Sequence, residues 1–201
     1  MTKETAIKLL NQNVSSQNLV RHCLAVGYSL GAIYDYLKTN PSTGSGWKND
    51  SPDNKEVWEI LGFLHDSDWE LTKDTIDRHT LLLLDWLEKE GVKKTDPIYL
   101  AIQSHNNKVT KLREPQTQME WALECVDELT GFIVAVAMVK GKSLQNVEVA
   151  SIKKRFKEKA FAAAVNRQQI TQVAEKINIP VDVFVEITLN AMKNNAQELG
   201  L

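Results

Sequence analysis

Cysteine is scarce in this chain: Cys23 and Cys125 are the two cysteines in 201 residues. They show no paired metal-binding spacing and need not join in a reducing compartment, so both read as small core residues rather than as a disulfide framework. Charge of one sign is lacking too. Lys and Arg total 24 against 26 Asp and Glu, for a formal net charge of −2. That balance gives no global attraction to nucleic acid or to an anionic membrane. Long apolar runs are absent: the strongest, residues 132–139, falls far below the roughly 20 residues that a bilayer-spanning helix requires. The opening residues, Met1-Thr2-Lys3-Glu4-Thr5, mix charge without an apolar stretch of signal-peptide length, so no membrane contact and a cytoplasmic location are expected. Neither a period-two strand pattern nor an internal repeat is present. Gly141-Lys142-Ser143 superficially suggests a phosphate-binding loop, but Val136 stands where the leading glycine is needed and no strand precedes it.

What is present is an apolar content of 43%, enough for a substantial core, arranged at helical spacing. Leu19, Cys23, Val26, Leu30, Ile33 and Leu37 recur every three or four positions, predicting a helix from residue 15 or 16 to 37, capped by Ser15 or Ser16. Pro41, Gly44 and Gly46 then mark a loop over residues 39–53 that could close over a site. A helix with Pro52 in its first turn leads to His65. Further helices are predicted over 72–90, ending at Gly91, from Pro97 toward His105, and over 115–140, the last as the central buried helix. From Val147 onward, helical spacing continues around a break at Pro180. The fold class is all-α, with a core over residues 1–140 and a C-terminal helical extension over 141–201 packed on the same domain.

Histidine carries the chemistry. The chain has four, His22, His65, His79 and His105, and His65-Asp66 sits directly after the apolar run Leu61-Gly62-Phe63-Leu64. Taken singly, each has an ordinary reading: a boundary histidine for His22, a helix C-terminus for His65, helix-end residues for His79 and His105. Asp127 lies in an otherwise apolar segment, where a carboxylate needs a cationic partner, either a basic side chain or a metal. Imidazole and carboxylate together suit one or two ions of Fe, Mn, Zn, Co or Ni. Asp66 could bridge two such ions.

In order, these residues read H…HD…H…H…D, which resembles the HD-domain superfamily of metal-dependent phosphohydrolases over residues 16–140. The resemblance implies an HD-type helical bundle in which His22, His65, Asp66 and Asp127 hold one ion, while His79 and His105 join Asp66 at a second. It also implies hydrolysis of a phosphomonoester or phosphodiester, commonly a nucleotide, by a metal-activated water. Superfamily members often carry a glycine after the HD pair, whereas this chain has Ser67-Asp68-Trp69-Glu70. Asp68 is therefore read either as a general acid beside catalytic Asp66 or as the N-cap of the short turn after it.

A phosphorylated substrate calls for cations, and Lys108, Lys111, Lys154, Lys157 and Arg167 are the candidates, although a solvated helix face is the blander reading. Trp47 and Trp69 are candidate pocket walls. The extension is expected to cover the site or to form a homodimer contact. Two rival functions use the same ligands: a non-catalytic binding or scaffold protein with a structural metal, and an iron-dependent oxygenase.

Overall fold

The computed structural model describes residues 1–40 and 51–201, and every regular element among them is helical. Trp47 and most of the 39–53 loop lie outside the described residues. α1 (Lys3–Asn13), which the apolar spacing did not announce, is opened by the Thr2 side chain accepting from the Thr5 N–H. α2 (Gln17–Thr39) is capped by Ser16 rather than Ser15, whose hydroxyl and N–H both donate to Glu70. Val20, Cys23, Val26, Leu30 and Ile33 line its buried face.

α3 (Lys55–Leu64) starts later than Pro52 suggests. Asn54 is its N-cap, and Pro52 lies outside the helix, its carbonyl accepting the Trp58 indole N–H at 3.1 Å. What fixes α3 on α2 is backbone contact. A Cβ added to Gly62 would lie 2.5 Å from the Gly27 Cα, and one added to Gly27 would lie 2.2 Å from the Phe63 ring. Side chains at either glycine would hold the helices apart, so glycine is what lets the end of α3 reach α2 near His22.

The single helix expected over 72–90 does not form. Instead the chain makes α4 (Trp69–Thr72), a 3-10 turn (Ile76–Arg78) and α5 (Leu81–Lys89), with Thr80 at φ 72° between the last two. A β-branched residue in that region is strained. The local reason is that Asp68, distant in sequence, supplies the acceptor for the Leu83 N–H at 3.1 Å and so does the capping that Thr80 does not.

α6 (Pro97–His105) opens on Asp96, with Pro97 in its first turn, and is followed by α7 (Asn107–Thr110). The central helix α8 (Gln118–Val139) has a capping box between Thr117 and Glu120 and buries Leu123, Val126, Leu129, Phe132, Ile133 and Val136. Beyond it come α9 (Val149–Phe156), α10 (Arg167–Thr171), α11 (Val173–Lys176), α12 (Val181–Asn194) and α13 (Ala196–Leu199). α12 packs on both α2 and α8, and one apolar cluster reaches from Ala6 to Leu199, so residues 141–201 share the core of the preceding helices. No helix among the described residues is long and apolar enough to cross a membrane.

Arg167 holds the irregular stretch between α9 and α10. Its guanidinium donates to the carbonyls of Phe156, Glu158, Phe161, Ala162 and Val165 and lies 5.0 Å from the Phe132 ring centroid. An arginine has five N–H donors, and all are spent on backbone; the expected substrate contact from Arg167 is therefore replaced by a structural one.

Gly62→Ala should lose about 3 kcal/mol in urea denaturation, the upper end of overpacking costs, whereas Gly131→Ala in α8, where a Cβ meets nothing within 4 Å, should match or exceed the parent by up to about 1 kcal/mol. Arg167→Lys should also cost about 2–3 kcal/mol, because one ammonium cannot span the carbonyls that the planar fork reaches.

Candidate metal centre

Five elements deliver six side chains to one place. His22 comes from the middle of α2, and His65 and Asp66 from the turn that ends α3. His79 closes the 3-10 turn, His105 is the last residue of α6, and Asp127 projects from α8. Their ring nitrogens and carboxylate oxygens divide into two groups about Asp66. Oδ2 of Asp66 faces His22 Nε2 at 3.7 Å and His65 Nε2 at 3.6 Å, while Oδ1 faces His79 Nε2 at 3.3 Å and His105 Nε2 at 3.6 Å. On the first side, Asp127 Oδ1 lies 2.9 Å from His22 Nε2 and 3.6 Å from His65 Nε2, and the two imidazole nitrogens are 3.2 Å apart.

Those separations are the edge lengths of a coordination shell. With metal–ligand bonds of about 2.1 Å, neighbouring donors stand roughly 3.0 Å apart in an octahedron and 3.4 Å in a tetrahedron. His22, His65 and Asp127 converge in this way, as do His65, Asp66 and His105; His79 joins the second group through Asp66 Oδ1 alone. The donor set, imidazole plus carboxylate, suits a borderline divalent transition ion.

The outer hydrogen bonds settle the tautomers. His65 Nδ1 donates to the Gly62 carbonyl at 2.8 Å, His79 Nδ1 to Asp68 Oδ1 at 2.8 Å, and His105 Nδ1 to Glu124 Oε1 at 2.9 Å. In the neutral imidazole this leaves each Nε2 with a lone pair aimed at the centre, the arrangement that second-sphere partners impose on metal-binding histidines. Glu124 is held in turn by the Gln169 amide at 2.8 Å, and Lys108 donates to Gln169 Oε1.

Asp68 stands at the N-cap position of α4, as one of its two expected roles required, but its carboxylate is turned elsewhere. Its side chain makes no cap bond to α4; it is fully buried, with one oxygen on His79 and the other on the Leu83 N–H. Trp69 packs edge-on against the His79 ring, with centroids 5.0 Å apart, and so supports a candidate ligand. Among the expected cations, Lys108 reaches the outer network. Lys111 is an exposed left-handed residue after α7, and Lys154 and Lys157 are exposed on and just after α9; no hydrogen bond or ion pair joins these three to the centre. Glu124 and Gln169 escaped sequence reading, because a carboxylate and an amide in amphipathic helices carry no motif.

Without a cation the centre must hold protons. Burial opposes the charged form of His22, but the hydrogen bond and charge of Asp127 outweigh it and raise the pKa; for His79, Asp66 and Asp68 outweigh burial, and for His105, Asp66 and Glu124 do so by a wide margin. Burial would raise Asp66 and Asp127, yet the facing imidazoles hold Asp66 well below, and Asp127 below, the ordinary carboxylate range.

Access is one-sided. The His22 and Asp127 side chains are 24% and 25% exposed, whereas His65 is sealed. A cavity of about 450 Å³ adjoins that open side, with His22 in its wall. No protein-family model, curated protein or solved structure matches the chain.

The raised histidines stabilise the metal-free fold fully below the ordinary imidazole pKa, and this is lost as pH rises through their folded values; the depressed aspartates contribute at every pH above the ordinary carboxylate range. Chelator-treated protein should therefore melt at lower temperature as pH rises from about 6.5 to about 9, and added Mn²⁺ should reverse the loss. A metal-free melting temperature that climbs across that window would contradict the raised histidines described above.

Proposed function

We propose that the chain is an HD-type metal-dependent phosphohydrolase that binds two divalent transition ions and cleaves a phosphate ester. The observation that carries this reading is the pair of Asp66 oxygens, each turned toward a separate set of imidazole lone pairs. Ordered H…HD…H…H…D along the chain, the same residues resemble the superfamily's ligand series, which supports the assignment.

In this reading His22, His65, Asp127 and Asp66 Oδ2 hold one ion, and His79, His105 and Asp66 Oδ1 hold the other. Bound there, the ions supply Lewis acidity toward a phosphate oxygen and water ionised near neutral pH. The protein's own part is positioning. Asp68 and Glu124 fix the ring planes of His79 and His105, His65 is fixed from Gly62, and the apolar packing around α3 and α8 excludes water from the closed side. Two divalent ions would offset the four carboxylates gathered around them, Asp66, Asp127, Asp68 and Glu124. A purely structural ion would be enclosed by protein, whereas the exposed His22–Asp127 edge leaves room for water and substrate, which favours catalysis over the scaffold reading.

Untagged protein purified without chelator and under argon should carry about two transition ions per chain. Asp66→Ala should remove both ions and all turnover of p-nitrophenyl phosphate and bis-p-nitrophenyl phosphate; retained turnover would end the proposal. Asp68→Asn should weaken one ion only, by about 10–100-fold. Unchanged metal affinity together with a lost limb of the pH–rate profile would instead restore Asp68 as an acid.

A further inference from the structure

The cavity beside His22 continues the centre along two helices. On α8, Asp127 is followed on the same face by Gly131, Val134 and Met138; on α2, His22 is followed by Ala25. The wall opposite comes from Met192 of α12 and from Leu199. The lining is therefore mainly aliphatic. Among the described residues no Phe, Tyr or Trp lines it, and the Asn18 amide is the single uncharged polar side chain besides His22 able to read a heterocycle edge. Base recognition relies on stacking and on paired donors and acceptors; the planes on offer are the His22 ring, committed to the centre, and the Arg21 guanidinium, packed against Gly200.

Two cations complete the lining. Arg21 and Lys142 both border the cavity, and among the described residues neither side chain has a hydrogen bond or ion pair. Arg21 packs close to Gly200, where an added Cβ would come 2.6 Å from the guanidinium carbon. Gly131 matters for the opposite reason. It lies in the interior of α8, where glycine disfavours the helix, and a Cβ there would meet no atom within 4 Å. Its missing side chain leaves space next to Asp127.

We propose that this cavity holds the organic body of the substrate and that the substrate is the phosphate monoester of an aliphatic alcohol, its chain lying between Val134, Met138 and Met192 while Arg21, the neighbour of His22 on α2, balances phosphate charge. The assignment rests on the phosphohydrolase reading for the chemical step and on the cavity for the specificity. In that step the P–O bond to the alcohol breaks, water gives its oxygen to phosphorus and a proton to the departing alkoxide, and inorganic phosphate and the free alcohol are the products.

The test separates binding from turnover. Ethyl-, butyl-, hexyl- and octylphosphonate carry an uncleavable C–P bond, and their affinities for the Mn²⁺-loaded full chain are measured by calorimetry. Affinity should rise about threefold to fourfold per added methylene, and octylphosphonate should bind more tightly than adenosine 5′-monophosphate. Gly131→Leu should flatten the series without lowering the melting temperature, and Arg21→Ala should weaken every phosphonate by a common factor. A flat series in the parent protein, tighter binding of the nucleotide, or a series unchanged by Gly131→Leu would each overturn the inference. Should the phosphonate series rise while the matching alkyl phosphates go unhydrolysed, the cavity assignment stands and the phosphohydrolase reading falls.

Discussion

Everything near the centre is arranged around the carboxylate of Asp66. Its two oxygens face four imidazoles drawn from four different elements, and another carboxylate, Asp127, shares one side with it. Such a cluster cannot be neutralised by packing. Either protons occupy the space between carboxylate and imidazole, raising His22, His79 and His105 and depressing Asp66 and Asp127, or cations replace them. The Nδ1 donors of His65, His79 and His105 suit either solution, and in the neutral imidazole they leave a lone pair facing inward.

The surrounding fold meets the geometric demand that Asp66 sets. His65 and Asp66 must project from the last turn of α3 at the level of His22 in α2, and the Gly27–Gly62 contact brings the two backbones close enough. On the other side, the path from α4 to α5 bends to carry His79 inward. That bend places Thr80 in the left-handed region at an expected cost of about 1–3 kcal/mol, offset by Asp68, which bonds both His79 and the Leu83 N–H. Strain and its compensation therefore lie within a few residues of a candidate ligand.

Local patterns revealed the parts of the chain that local forces determine. The apolar stripe of α2 and the long buried α8 were legible because their spacing repeats over several turns, and the six candidate ligands were legible because histidine is rare enough for its order to stand out. The break in 72–90 was not, since the apolar spacing of Leu81, Leu84 and Trp86 runs on while the interruption is imposed by Asp68 from outside the segment. Arg167 read as a basic residue near other basic residues, and only the folded path of residues 156–165 shows its donors consumed by carbonyls. Likewise nothing in the sequence places Arg21 and Lys142 on one cavity, which both border because α2 and the turn after α8 line it.

The two sides of Asp66 differ in a way that bears on how such a centre would work. His79 and His105 are enclosed, and each leans on a buried carboxylate, Asp68 or Glu124, which raises imidazole basicity and locks the ring. His22 has no outer acceptor among the described residues, and it shares the solvent-facing edge with Asp127. A rigid, well-supported side and an adaptable, accessible one would suit the proposed ester-binding centre. The enclosed ligands would keep their geometry, while the open edge would exchange water for phosphate oxygens. The aliphatic cavity adjoins that open edge through His22, so in the proposed reading the position of a phosphate and of the chain attached to it would be set by neighbouring turns of the same two helices.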